Sequence, residues 1–299
     1  MTDQITLSRR VVLSAAALAA ASCSAPVEAE AQGPAVRTGY ATVDGLKVYY
    51  EVHGGPPDGA VTPFVLLHGG IMAIKTAFAD DLLPRLAKLR PVIAIEQQGH
   101  GHTADRAGPI TLDRVVADTS GVLKHLGAAK GHFIGHSFGG MIALGMAVSH
   151  PEQVASVTPI SAMRTLEGFL PELAVMQRDP SHVPSAALMP LLPTEKDFAS
   201  WKAHYDAVNP NPASFDGVLA KMNAMLATWP GWTEAQFRAI KAPTLIIIGD
   251  NDFTRIEHAA EMARLIPGAQ LAVLPGTTHM NVQTRGAWFV PMLQARIDR

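Results

Sequence analysis

Residues 130–144 have the sequence KGHFIGHSFGGMIAL, and this stretch decides the fold of the chain. Its short apolar first half predicts a β-strand, and its second half of small and apolar residues predicts a helix. Between them lies Gly135-x-Ser137-x-Gly139, a spacing that places a serine on a sharp strand-to-helix turn with its hydroxyl exposed. Glycine at both outer positions removes β-carbons that would collide in such a bend. An ordinary glycine-containing junction is the alternative, so the rest of the chain must supply partners for Ser137.

The composition is that of an ordinary globular protein. The chain has 299 residues, of which 48% are apolar and 17% charged, enough to build a large α/β core. Its formal net charge is -2 and it contains no run rich in Lys and Arg, so the electrostatic signature of a nucleic-acid-binding protein is missing. We therefore expect no nucleic-acid partner.

Cysteine chemistry is excluded from the folded domain. The only cysteine is Cys23, which lies in the N-terminal leader. A disulfide within the domain, a Cys-containing metal site and a cysteine nucleophile are therefore ruled out. Any nucleophile must carry oxygen.

The first 31 residues resemble a twin-arginine export signal. Arg9 and Arg10 precede an uncharged run, residues 11–21, which is too short for a bilayer that requires roughly 20 residues. Cleavage after the small-x-small triplet at residues 29–31 is favoured, and a lipoprotein box ending at Cys23 is the alternative. The sequence predicts an exported, periplasmic protein without a transmembrane segment, or one anchored by a lipid on Cys23.

The remaining pattern predicts a mostly parallel sheet flanked by helices. Asp44-Gly45 separates two β-prone runs, which is typical of a hairpin. Continuous apolar strands separated by helix-length segments indicate parallel strands buried on both faces. A helical stripe beginning at Leu112 stops at Gly127, and residues 255–265 have the pattern of a crossover helix. The further predicted strands are residues 63–67, 91–95, 154–161, 243–249 and 270–274.

Residues 163–242 interrupt the alternation of predicted strands and helices. They contain no convincing strand but several Met and Trp residues, and we interpret them as a helical insertion, or cap, over the sheet edge. The predicted domain division is therefore a core of residues 36–162 and 243–299 with a cap of residues 163–242. Most of the cap's apolar groups should be packing, while some should face a pocket at the carboxyl ends of the strands and favour an apolar substrate.

Partners for Ser137 follow the last two predicted strands. A serine hydroxyl needs a base within hydrogen-bond reach and a carboxylate that orients the base. Asp250 and Asp252 follow one strand, and His279 follows the next. Three well-known folds carry a serine triad, and each has its own order of the three residues along the chain. The order here, serine then aspartate then histidine, is that of one of these folds.

In these three motifs and their order, the chain resembles the α/β-hydrolase superfamily, specifically its cap-bearing serine hydrolases. Its G-x-S-x-G, G-x-x-D and G-x-x-H motifs correspond to residues 135–139, 249–252 and 276–279. The resemblance implies that Ser137 is the nucleophile, His279 the general base and Asp252 the orienting carboxylate. Asp250 is the competing acid, for which a turn-capping role is favoured.

The resemblance also implies an oxyanion hole built from backbone N–H groups. Phe138 follows the nucleophile and supplies one donor. His68-Gly69-Gly70 is similar to the family's H-G-x motif, so the second donor is assigned to Gly70, with Ile71 as the alternative. Residues 96–103 resemble the turn that supports this loop in the family but differ from its pattern at Glu96, Gln98 and Thr103.

A serine nucleophile implies an acyl-enzyme, which points to esters, lactones, some amides or cleavage beside a ketone, and esters and lactones, with an apolar substrate, are favoured among these. Carbon–carbon hydrolysis with the same triad and a non-catalytic ligand-binding protein on the same fold are the alternatives. A zinc site at His100 and His102 with Asp105 is disfavoured because the neighbouring positions lack a further ligand. We expect no cofactor and no metal, and the oligomeric state is left open.

Overall fold

The computed structural model describes residues 36–57, 61–179 and 181–297. The predicted export signal, including Cys23, lies outside these residues, so export and lipidation stay predictions. The strands are β1 (Arg37–Val43), β2 (Leu46–His53), β3 (Phe64–Leu67), β4 (Val92–Ile95), β5 (Gly131–His136), β6 (Val154–Ile160), β7 (Leu245–Asn251) and β8 (Gln270–Thr278). The α-helices are α1 (Ile74–Phe78), α2 (Leu82–Ala87), α3 (Leu112–His125), α4 (Phe138–Ser149), α5 (Pro171–Arg178), α6 (Glu195–Val208), α7 (Phe215–Thr228), α8 (Glu234–Arg238), α9 (Ile256–Leu265) and α10 (Gly286–Ile297).

The strands form a single mostly parallel sheet in the order β1-β2-β4-β3-β5-β6-β7-β8. The pairs β1–β2 and β2–β4 are antiparallel, and all later pairs are parallel. The order places β5 between β3 and β6, so that the ends of these three strands meet at the same sheet edge. This confirms the predicted α/β class.

Helices cover both faces of the sheet. Val65 and Leu67 of β3 pack in one core cluster with α3, α4 and α9, whereas Phe64 and Leu66 pack in a second cluster with α1, α2 and α10. Alternate side chains of one strand therefore enter opposite cores, which explains why the predicted central strands are continuously apolar.

Two local predictions are confirmed. The hairpin turns at Asp44 and Gly45, whose φ values are 44° and 73°, as a tight hairpin between twisted strands requires. Helix α3 begins after Thr111, whose side chain accepts a hydrogen bond from the N–H of Arg114, and it ends before Gly127, whose φ is 70°.

The chain between β6 and β7 is helical. It contributes α5, α6, α7 and α8, and within its described residues no strand is formed. Its buried apolar residues Val218, Met222 and Phe237 belong to the same core cluster as Val65 and Leu67 of β3. We call this segment the cap, and its boundaries at residues 163 and 242 stay predictions.

No helix within residues 36–57, 61–179 and 181–297 is both long enough and apolar enough to cross a bilayer.

Strand β8 is longer than predicted. The predicted strand covers residues 270–274, but the strand continues through Pro275 and Gly276 to Thr278. β8 is the edge of the sheet, where proline is tolerated, and Pro275 lies between Leu274 and Thr278, which are paired with β7, without a pairing of its own. Gly276 has a φ of 57°, and the register with β7 shifts between Gly249 and Asn251. This irregular end leads directly into His279.

Candidate active site

Ser137 occupies a strained turn between β5 and α4. Its φ and ψ are 53° and -116°, and its N–H donates to the carbonyl of Ile160 at 2.8 Å. A β-carbon on Gly135 would lie 2.0 Å from the carbonyl oxygen of Gly139, and one on Gly139 would lie 2.1 Å from that of Leu67. Both glycines are therefore required by backbone contacts, as the motif predicts.

His279 is bound to Asp252. Its Nδ1 lies 2.8 Å from Oδ1 of Asp252, and both residues are buried. The imidazole also stacks on Phe253 with ring centroids 3.8 Å apart and an interplanar angle of 21°. Because Nδ1 donates to the carboxylate, Nε2 is left as a proton acceptor.

The carboxylate of Asp252 is held by further donors. The Ser161 hydroxyl donates to Oδ2, and the Thr254 N–H donates to Oδ1 at 2.7 Å. Burial alone raises the pKa of Asp252, but the charge and hydrogen bond of His279, together with the other two donors, outweigh it and hold the pKa below its ordinary value. Asp252 is thus kept ionised beside the histidine.

Ser161 is a residue that the sequence interpretation missed. It follows β6, has a φ of 51° and is 3% exposed, and its N–H donates to the carbonyl of Ile247 on β7. Ser161 belongs to no recognisable sequence motif, so the sequence does not indicate a chemical role for it. Its hydroxyl can be placed beside Asp252 only when it is known that β6 and β7 are neighbours in the sheet.

Asp250, the competing acid, points elsewhere. It is exposed, and its Oδ1 accepts from the N–H of Thr277 at 2.9 Å and from the side chain of Asn251 at 2.8 Å. The backbone N–H groups of Thr277 and Gly276 lower its pKa. Asp250 thus pairs β7 with the end of β8, whereas Asp252 contacts the histidine.

His136 ties the serine turn to the histidine loop. Its Nε2 donates to the carbonyl of His279 at 2.9 Å, and the two rings lie 4.9 Å apart. Burial lowers the pKa of His136 to about 3, so the side chain is neutral at physiological pH. The residue before Ser137 therefore positions the backbone that carries His279.

Ser137 and His279 line one cavity without a direct hydrogen bond between them in the described structure. Ser137 is partly exposed, whereas its neighbours Phe138 and His136 are buried. Hydrogen bonds between a nucleophile and its base are often long in a ligand-free site and shorten when substrate binds.

The loop after β3 lines the same cavity. The N–H of Met72 donates to the carbonyl of Gly69 at 3.3 Å, and between them Ile71 has a φ of 64°. A left-handed β-branched residue is uncommon and marks a strained turn. The N–H groups of Gly70, Ile71 and Phe138 donate to no other residue that the structure describes.

The turn at residues 96–103 supports this loop although it departs from the family pattern. The Gln97 N–H donates to Nε2 of His68 at 3.1 Å, and Glu96 Oε1 accepts from the N–H of Ile74 at 3.3 Å. Thr103 closes the turn by donating to the carbonyl of Glu96 at 2.8 Å. Of the three residues that depart from the pattern, Glu96 bonds the first residue of α1, directly after the loop, whereas Thr103 bonds within the turn and Gln98 bonds Asp105.

The histidines considered as zinc ligands face different partners. His100 Nδ1 bonds the carbonyl of Gln98 at 2.8 Å, whereas His102 Nδ1 bonds Glu96 at 2.9 Å. Over the described ranges, no group of three or more His, Cys, Asp or Glu side chains is arranged to hold a metal ion.

The cavity over Ser137 has a volume of about 360 Å³ and an apolar wall. Met176, Trp201 and Met222 reach it from the cap, while Met225 packs in the core and Met189 is exposed. The lining contains no Asp, Glu, Lys or Arg among the described residues. Its polar side chains are His136, Ser137, Ser161, Gln177, Asn223 and His279.

The chain matches one family model over most of its length. That model describes the Alpha/beta hydrolase family and matches residues 64–292. A protein of Azorhizobium caulinodans that is named as a carbamate hydrolase is 31% identical over 131 residues, which are 44% of this chain and 47% of that protein. The chain therefore spans less than half the length of this relative.

Two further comparisons cover more of the chain. The 2-hydroxymuconate semialdehyde hydrolase of Pseudomonas putida is 29% identical over 234 residues, 73% of this chain and 80% of that protein. The solved structure of Est816, an N-acyl homoserine lactone degrading enzyme, has a TM-score of 0.66 at 28% identity and covers 86% of this chain and 99% of that one.

Proposed function

Because the chain belongs to the alpha/beta hydrolase family, we propose that it is a serine hydrolase that cleaves carboxylic esters or lactones through an acyl-enzyme. One observation carries the proposal: Ser137, on its strained turn, lines the same cavity as His279, whose Nδ1 is bound to Asp252. The similarity to Est816, a lactone-degrading enzyme by its title, adds support for this substrate class.

The acylation step follows from these positions. The Ser137 hydroxyl oxygen attacks the carbonyl carbon, and Nε2 of His279 takes the hydroxyl proton. Asp252 stabilises the imidazolium that forms. The tetrahedral intermediate then expels the alkoxide, which takes the proton from His279, and the acyl group stays on Ser137.

Deacylation repeats the sequence with water as the nucleophile. His279 takes a proton from water, the hydroxide adds to the acyl carbon, and Ser137 leaves with the proton returned by His279. In a lactone the alkoxide and the acyl group belong to one molecule, so a single hydroxy acid is released.

The oxyanion of both intermediates is assigned to the N–H groups of Phe138 and Gly70, with Ile71 as the alternative to Gly70. All three residues line the cavity, and their N–H groups have no other partner in the described chain. A donor of this kind stabilises the transition state by roughly 3–4 kcal/mol.

Carbon–carbon hydrolysis with the same triad is the second candidate. The similarity to the semialdehyde hydrolase of Pseudomonas putida favours it. The absence of Lys and Arg from the described cavity lining disfavours substrates that bring a carboxylate into the cavity, because a buried unpaired charge is costly. Neutral esters and lactones therefore rank first.

A substrate panel tests the proposal. Short and long p-nitrophenyl esters, γ- and δ-lactones and ring-cleavage diketones are assayed with the wild type and with Ser137→Ala. We expect ester or lactone turnover that Ser137→Ala abolishes, while Ser149→Ala, at the exposed far end of α4, retains it. Turnover of the diketones alone would favour carbon–carbon hydrolysis. Binding without turnover, and no reaction of Ser137 with a fluorophosphonate, would indicate a ligand-binding protein.

Export is a separate proposal that rests on the leader sequence. Arg9 and Arg10 are expected to direct the folded chain across the inner membrane. Replacing both with Lys should retain the protein in the cytoplasm of a bacterial host, as measured by fractionation. An unchanged distribution would contradict this proposal and leave the hydrolase proposal intact.

A further inference from the structure

Phe198, in the first turn of α6, combines two features that no other large apolar residue in the described ranges shares. Its side chain is exposed to solvent, with a relative accessibility of 38%. It also lines the cavity over Ser137, which none of the other exposed large apolar side chains of the described residues does. The remaining apolar residues of the cavity wall are buried or half-buried. Phe198 therefore lies where the cavity wall meets solvent.

The N-terminus of α6 holds the backbone of Phe198 in place. Thr194 is the N-cap residue: its Oγ1 accepts a hydrogen bond from the N–H of Asp197 at 3.2 Å, and Oδ2 of Asp197 accepts from the N–H of Thr194 at 2.8 Å. Pro193 and Phe198 stand at the two positions that form a hydrophobic staple around such an N-cap, and both line the cavity. The capped turn thus fixes the place of Phe198 in the wall.

An aromatic pair connects this exposed position with the interior. The ring of Phe198 meets that of Trp201 edge to face, with centroids 5.3 Å apart and an interplanar angle of 68°. Trp201 is buried, lines the same cavity and belongs to one core cluster with Met72. Met72 also lines the cavity, at the end of the loop that contains Gly70. These side chains give the cavity an apolar wall both beside this loop and at the surface.

The cavity is larger than a short acyl or alkoxy group requires. An engineered apolar cavity of about 150 Å³ already binds a benzene molecule, whereas the cavity over Ser137 has a volume of about 360 Å³. An acetate ester would leave most of the apolar wall uncovered, while a long alkyl chain would bury it, and the burial of apolar surface stabilises the complex. A chain that fills the cavity also covers Phe198.

We propose that Phe198 is a specificity-determining residue that favours substrates with a long alkyl chain over their short-chain analogues. A chain that fills the cavity buries exposed surface of the Phe198 ring, whereas a short chain leaves it in water. This inference rests on the proposed serine hydrolase function and narrows its substrates to esters or lactones that carry such a chain. The chain belongs to the acyl part or to the alcohol part of the substrate, and the two arms of the test distinguish these.

Two pairs of esters isolate this contact. One arm compares p-nitrophenyl acetate with p-nitrophenyl octanoate, and the other compares ethyl acetate with octyl acetate. We expect Phe198→Ala to lower kcat/KM for the long ester of at least one pair by about fivefold or more, chiefly through KM, and to leave both short esters unchanged. The ratio of variant to wild type for each ester cancels the chemical reactivity of that ester.

Two further variants serve as controls. Phe198→Leu keeps an apolar side chain at the wall and should retain most of the kcat/KM for the long ester. Trp288→Ala removes an exposed aromatic ring that lies on α10 and does not line the cavity, so it should leave all four values unchanged. A general loss of folded protein in Phe198→Ala would lower the values for short and long esters alike.

The outcomes separate the inference from the function on which it rests. Equal effects of Phe198→Ala on short and long esters, no effect on any of them, or a higher kcat/KM for the long esters would overturn the role of Phe198 while the hydrolase function stands. Failure of the wild type to cleave any of the four esters, or undiminished cleavage by Ser137→Ala, would overturn the hydrolase function and the inference together. A loss confined to the long esters supports both.

Discussion

Nδ1 of His279 lies 2.8 Å from Oδ1 of Asp252, and this contact fixes which ring nitrogen remains free to take a proton. Replacing Asp252 with Asn keeps the size of the side chain but favours the wrong imidazole tautomer. We expect Asp252→Asn to lower kcat by about 10⁴-fold, by analogy with the loss of the same group in a serine triad. Steady-state kinetics on a p-nitrophenyl ester measure this.

The neighbouring carboxylate provides the matched control. Asp250 contacts Thr277 and Asn251 rather than the histidine. Asp250→Asn should therefore retain kcat within a few fold, since the change lies at an exposed turn. A larger loss in Asp250→Asn than in Asp252→Asn would reverse the assignment of the two acids.

Ser161 should tune the same carboxylate. Its hydroxyl donates to Oδ2 of Asp252, and both groups are buried. Ser161→Ala removes a donor from the ionised form, so the pKa of Asp252 rises and the carboxylate is less firmly oriented. We expect kcat to fall by about tenfold, corresponding to about 1.4 kcal/mol, with a smaller change in KM.

A buried serine on β6 provides a control for the loss of any buried hydroxyl. Ser156 bonds Nδ1 of His132 at 2.8 Å and does not line the cavity. Ser156→Ala should lower the free energy of unfolding without changing kcat. If both variants lost activity equally, Ser161 would be a structural residue with no specific effect on Asp252.

The turn glycines should be intolerant of a single methyl group. A β-carbon on Gly139 would lie 2.1 Å from the carbonyl oxygen of Leu67, which is backbone and cannot rotate away. We expect Gly139→Ala to lower the free energy of unfolding by about 1–3 kcal/mol. Gly217→Ala on α7, where nothing lies within 4 Å, should raise it by about 0.5–1 kcal/mol. Urea denaturation measures both, and equal effects would contradict the close approach at the turn.

Stability should fall as the pH decreases below about 6.5. Burial lowers the pKa of His68 and His136 to about 3 and that of His100 to about 4. Unfolded histidine titrates near about 6.5. Between these values the unfolded chain binds protons that the folded chain does not, so the free energy of unfolding decreases by up to about 1.4 kcal/mol per pH unit for each residue.

Denaturation curves between pH 7 and pH 5 test this dependence. His100→Asn should make the decrease with falling pH less steep, because one buried neutral imidazole has been removed. His125→Asn, which removes an imidazole from an exposed position, is the control variant. An identical slope in the wild type and in His100→Asn would show that His100 gains a proton as readily in the folded state as in the unfolded state.

Much of the core and its turn is predictable because the constraints are local. The contacts that demand glycine at positions 135 and 139 act within the turn itself, and β3 and β4 are apolar because both of their faces are buried. Asp252 and His279 each follow one of two adjacent parallel strands, so their side chains can be predicted to lie close together. Such rules depend on short stretches of sequence.

The cap and the supporting contacts are harder to predict because they depend on packing between distant elements. Met222 and Met225 lie on one helix, yet the first lines the cavity and the second packs in the core. The hydroxyl of Ser161 reaches Asp252 only because β6 lies beside β7. Neither fact is visible as a sequence motif.

The central claim is that Ser137 carries the acyl group of the substrate during turnover. Rapid acid quenching during hydrolysis of a p-nitrophenyl ester, followed by peptide mass spectrometry, measures this directly. We predict an added acyl mass on the peptide that contains Ser137, no such adduct in Ser137→Ala and no turnover by that variant. An acyl adduct on another residue, or undiminished turnover by Ser137→Ala, would contradict the claim.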